Sequence, residues 1–163
     1  MLNCGLHSGF RRCRALFLVS CLSTVAAKAA PAPPDQSSFL HAIRLVETGD
    51  RCDSPRGRYG ELGAYQFRLM VWRQHTSAPF SRARTRFADT VAARHYSWIA
   101  QRLRANGVPA TSWNIAAAWN SGVSSVVSGA IPATTQDYAT RVVNLMERDG
   151  AYQVALNTKF QFR

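Results

Sequence analysis

"TRFADTVAARHYSWIAQRLRA", residues 85–105, decides the class of this chain. At about 100° per residue, Phe87, Val91, His95, Trp98, Ile99 and Leu103 fall on one half of a helix. Arg86, Thr90, Arg94, Ser97, Gln101 and Arg104 fall on the other. The spacing predicts the longest helix of the chain, ended by Asn106-Gly107 with Pro109 just beyond. The same period recurs on either side. Residues 36–48 form a predicted helix with Asp35 or Ser37 as N-cap and Gly49 as stop. Residues 64–75 follow, with Tyr65, Leu69 and Trp72 on one side and Gln66 on a flank. Residues 112–120 are nearly all apolar and are expected to be central; Gly122 breaks them, and a short helix runs on toward Gly129. Residues 135–149 turn Tyr138, Val142 and Leu145 inward, with Gly150 as stop.

No convincing run of period-two alternation interrupts this series. Residues 50–62 carry turn chemistry, Asp53-Ser54-Pro55 and then Gly57 and Gly60, which leaves room for one small hairpin near 54–62. The expected class is all-α, at most a lysozyme-like α+β fold, in a single compact helical domain over residues 38–163.

The first thirty residues read differently. Arg11, Arg12 and Arg14 precede an apolar stretch from Ala15 to Ala27, shorter than the about 20 residues a membrane span needs. Ala27-Lys28-Ala29 fits the small-residue cleavage pattern, so 1–30 are expected to be a signal peptide and the protein exported, to the periplasm or beyond. Leu18-Val19-Ser20-Cys21 also resembles a lipobox, which makes Cys21 a candidate lipid anchor. Pro31-Ala32-Pro33-Pro34 opens an extended linker over 31–37. Of the four cysteines only Cys52 follows residue 30, so the remaining chain forms no internal disulfide, and Cys52 reads as an inert loop residue. Few cysteines after an export signal suit a bacterial envelope.

Twenty Lys and Arg stand against nine Asp and Glu. Four of the basic residues and none of the acids lie in 1–30, so the remainder carries a balance of +7. Such a surface suits anionic polymers, among them acidic wall material. The charge is mostly Arg, spread along the chain rather than massed in an arm, and no nucleic-acid partner is expected.

Glu47 is the informative residue. It lies in the apolar stripe formed by Phe39, Leu40, Ile43 and Val46, about 120° wide. A carboxyl among apolar neighbours loses hydration, so its neutral form persists nearer pH 7. A positioned neutral carboxyl is a proton donor, which glycoside cleavage needs at the leaving oxygen. An ordinary helix-end Glu, bonded to Arg or pointing to solvent, is the plainer alternative.

Four short motifs occur in order: Glu47-Thr48-Gly49, Gly63-Ala64-Tyr65-Gln66-Phe67, Ala117-Ala118-Trp119-Asn120-Ser121-Gly122 and Thr135-x-x-Tyr138. Over residues 38–146 they resemble the lysozyme-like lytic transglycosylases. The resemblance implies a peptidoglycan-cleaving muramidase. Glu47 would be the catalytic acid and base at the bond between N-acetylmuramic acid and N-acetylglucosamine, and the muramoyl 6-hydroxyl would close a 1,6-anhydro ring. It also implies substrate contacts from Thr48, Gln66, Trp119, Asn120 and Tyr138, with the Tyr138 hydroxyl near the acid. Thr48 stands where the family usually has Ser, Tyr65 where it has Leu or Met, Trp119 where it has Tyr, Ser121 where Ala is common, and Thr134 where an acid often stands. These departures keep Glu47 and alter the contacts around it. The implied partners are glycan strands, with envelope or secretion-system components as further candidates, and the implied state is a monomer needing no cofactor.

Glu61, in the glycine-rich loop, is the candidate for a second carboxylate. Paired carboxyls about 5–5.5 Å apart would suit a covalent intermediate, and about 6.5–9.5 Å an activated water, as in a hydrolytic lysozyme. A third alternative is a wall-binding module that has lost activity. His41, His75 and His95 show no metal spacing, and His95 reads as a core histidine. Trp72 and Trp98 read as core, while Trp113 and Trp119 could equally stack on sugars.

Overall fold

The computed structural model describes residues 35–161, with side chains to residue 150. The expected signal peptide, the Cys21 anchor and the proline run lie outside the described residues. The remainder is all-α. Helix α1 spans Gln36–Thr48, α2 Leu69–His75, α3 Phe87–Ala105, α4 Ser112–Ser121, α5 Val123–Val127 and α6 Ala133–Gln161, with a 3-10 turn at Phe80–Arg84 before α3.

Local chemistry sets the ends of α1. Asp35 is the N-cap: its carboxylate accepts from the backbone N–H groups of Ser37 and Ser38, each at 3.2 Å. The helix thus takes Gln36 and Ser37 from the linker expected over 31–37. Gly49 closes it in the left-handed region (φ 65°), and the N–H groups of Gly49 and Asp50 meet the carbonyls of Leu45 and Arg44.

Helix α4 is the centre. Ile115, Ala116, Ala117 and Ala118 are all buried, and their small side chains let α3, α5 and α6 approach. Helix α1 packs across α6 and α3. Phe39, Ile43, Tyr65, Trp72 and Ile99 fill the space between them, each contributing about 1.5–3 kcal/mol of burial.

Three sequence expectations are corrected. The helix expected over 64–75 begins at Leu69, because Gly63 (φ 77°) and Gln66 (φ 46°) both take left-handed backbone that no helix can continue. The hairpin near 54–62 does not form. Among the described residues the backbone makes one isolated antiparallel bridge, between Leu62 and Phe67. Pro55 has no N–H for a ladder, and the chain instead turns at Gly57–Gly60. Finally, α6 runs through Gly150. A helical glycine costs about 1 kcal/mol, and no proline follows to enforce a stop.

Candidate active site

The loop between α1 and α2 folds over the C-terminal end of α1 and opposite the α4–α5 junction. A cleft of about 720 Å³ lies between them. Its walls come from Glu47 of α1, Glu61 and Gln66 of the loop, and Trp119, Asn120 and Gly122 at the junction.

Glu47 is partly buried at the floor. The Tyr138 hydroxyl of α6 donates a 2.7 Å hydrogen bond to its Oε1. Oε2 has no protein partner among the described residues, and no buried side-chain oxygen there lacks one, so Oε2 is reached from the cleft. Burial raises the carboxyl pKa above its usual range; the Tyr138 bond opposes that, the Glu61 charge adds to it, and the Arg141 charge opposes it. The net direction is upward. Tyr138 is itself buried beside this carboxylate, which pushes its phenol far above the normal value and keeps it a donor.

Gln66 is aimed by an unusual backbone. Its left-handed conformation turns the side chain so that Nε2 donates to Ser54 Oγ (3.1 Å) and Gly63 O (3.0 Å). Gly57 leaves the room this needs: a Cβ there would stand 2.7 Å from Gln66 Oε1 and collide with the Glu61 carboxylate. Asn120 is held from α6, where the Thr135 hydroxyl donates to its Oδ1 at 2.7 Å. Trp119 is half-buried in an aromatic cluster, 4.7 Å from the His95 ring and 5.8 Å from Phe67.

Glu61 faces the same cleft but both its oxygens are engaged. Oε1 accepts from Arg68 Nε at 3.2 Å and Oε2 from the Tyr59 N–H at 2.8 Å. Partial burial pushes its pKa up, but the backbone hydrogen bonds of the loop and the Arg68 guanidinium outweigh it, so the carboxyl titrates below its usual range.

The structure redistributes several expected roles. Tyr138 lies beneath Glu47 at 8% exposure and supports the acid from below instead of lining the cleft. Thr48 is a fastener: its hydroxyl donates to the Arg44 or Ala64 carbonyl (3.3 and 3.2 Å) and accepts from the Arg51 N–H. Trp98, expected in the core, is half-buried and lines the cleft. Trp72 is fully buried as expected. Trp113 lies off the cleft, with its indole N–H on Thr140. His95 is buried and satisfied, its Nδ1 2.9 Å from His75 Nε2, and it also forms part of the cleft wall. Burial, with the His75 charge, pushes its pKa down to about 3.

Tyr59 and Arg68 were not singled out by sequence reasoning, and no motif marks them. Thr135 stands in the fourth motif and Ser54 in the turn, but the partners of each, Asn120 and Gln66, are set only by folding. Among the described residues, no group of three or more His, Cys, Asp or Glu comes together as a metal site. Comparison with protein-family models, curated proteins and solved structures finds no match to this chain.

Proposed function

We propose that this protein is a peptidoglycan-cleaving muramidase of the lytic transglycosylase type, with Glu47 as its acid and base. The observation that carries the proposal is the Glu47 carboxyl itself. One oxygen is tied to the Tyr138 hydroxyl and the other is open to a cleft lined by amides and aromatic rings. Partial burial keeps a proton on it nearer neutrality.

The protonated carboxyl donates to the glycosidic oxygen, and the bond from that oxygen to the muramoyl anomeric carbon breaks. The muramoyl 6-hydroxyl oxygen bonds to the same carbon, and Glu47, now a carboxylate, takes the hydroxyl proton. The acid is restored and no water is consumed. Gln66 and Asn120 offer amide contacts to sugar acetamido and hydroxyl groups, and Trp119 and Trp98 offer apolar faces. The proposal includes export by residues 1–30 and action as a monomer on glycan strands.

Hydrolysis of the same bond is the second reading, favoured by Glu61 standing ionised in the cleft. Its engagement with Arg68 and the Tyr59 N–H weighs against a role as nucleophile or base. Mass spectrometry of the soluble products separates the two. Transglycosylation gives muropeptides lighter by one water than their hydrolysed counterparts; products carrying that water defeat the proposal in favour of the second reading. Intact strands after prolonged incubation defeat both.

A further inference from the structure

One lip of the cleft is built around Arg68, and strand cleavage by Glu47 makes no use of it. The Arg68 side chain is 59% exposed, yet it is fixed on two sides. Its Nε donates to Glu61 Oε1 at 3.2 Å, and its guanidinium carbon lies 4.8 Å from the centre of the Tyr59 ring. Tyr59 is 68% exposed, a large aromatic ring held at the surface, and Arg58 approaches the same ring at 5.7 Å. The remaining Arg68 N–H groups have no partner among the described residues, and Arg68 and Tyr59 both line the cleft.

A guanidinium has five donors in a flat fork that matches a carboxylate. Here one edge is held by an internal carboxylate and one face by a ring, so little rotamer freedom remains to be lost on binding. Arg68 lines the cleft, and the chain's surplus of basic residues favours anionic ligands in general. We propose that Arg68, braced by Glu61 and Tyr59, is a subsite for a carboxylate borne by the glycan strand, an assignment that rests on the proposed strand-cleaving function. Glu61 is then a positioning residue for Arg68.

The carboxylate can sit on the sugar's lactyl ether or on an attached peptide, and three probes distinguish the sources. The purified protein is titrated with N-acetylglucosamine, which has no carboxyl, with N-acetylmuramic acid, and with N-acetylmuramoyl dipeptide, while the Arg68 Nε–H resonance is followed by NMR. At least one acidic probe is expected to bind about tenfold tighter than N-acetylglucosamine and to move that resonance. The tighter of the two names the source. Arg68→Gln, a change at an exposed side chain, should remove the preference, and Arg68→Lys should restore part of it. Absence of an acidic preference, including no binding of any probe, overturns the subsite, as does a preference that survives Arg68→Gln. These readouts need no bond to be cut, so failure of the product assay and failure of the subsite are separate results.

Discussion

The Tyr138 hydroxyl meets Glu47 Oε1 at 2.7 Å across ninety-one positions of sequence. The bond fixes one oxygen of the carboxyl and leaves the other to the cleft. Burial raises the carboxyl pKa, and the phenol, by stabilising the charged form, restrains the rise.

Glu47→Gln removes the transferable proton while keeping shape and one hydrogen-bonding oxygen. Clearing of a peptidoglycan suspension should fall by about a thousandfold or more, with the far-ultraviolet circular dichroism unchanged. Clearing at the wild-type rate would remove Glu47 from the reaction.

Tyr138→Phe deletes the bond that favours the ionised carboxyl. The Glu47 pKa should rise further, so the alkaline limb of the pH–rate profile should move to higher pH, with an accompanying loss of about tenfold at the optimum. A profile left in place, or moved to lower pH, would show that the phenol does not act on the acid.

The buried His95 should make the fold acid-sensitive. Its folded pKa of about 3 lies below the ordinary 6.5, so the unfolded chain takes a proton that the native chain refuses. The stability is therefore complete above pH 6.5 and is lost as pH falls toward 3. Glu47 acts in the opposite sense: its raised folded pKa adds stability as pH falls toward the ordinary 4.5. Melting temperatures between pH 7 and pH 4 should drop less in His95→Phe than in wild type. An equal drop in both would assign the acid sensitivity elsewhere.

Gly63→Ala tests the loop that delivers Gln66. Gly63 has φ 77°, and a Cβ there would overlap the Ala83 carbonyl oxygen. The substitution should cost about 3 kcal/mol or more in urea unfolding and displace the loop, with loss of clearing. Gly49→Ala is the contrast: φ is 65° but nothing lies within 4 Å of the added carbon, so about 1 kcal/mol is expected. Equal costs at the two sites would mean that the Ala83 contact carries no weight.

Much of the fold is legible in the sequence. The 3.6-residue period over 85–105 and 36–48 places Val91, Ile99, Phe39 and Ile43 in the core, where they are. The errors fell where backbone conformation overrides period. Tyr65, Leu69 and Trp72 share helical spacing, but Gln66 stands left-handed between them, held by bonds to Ser54 and Gly63 that spacing does not encode. Gly150 looked like a stop and is a tolerated interior glycine.

The sequence by itself determined which faces are apolar, that Glu47 lies within one, and that glycines crowd the loop after it. Periodicity encodes a face because neighbours three and four apart share it whatever the rest of the chain does. Only the tertiary structure decided what each face meets: Tyr138 under Glu47, Thr135 on Asn120, and Arg68 holding Glu61 at the cleft's lip. Those pairings depend on how α1, α4, α6 and the loop pack together, and on backbone turns at Gly63 and Gln66 that no local pattern announces.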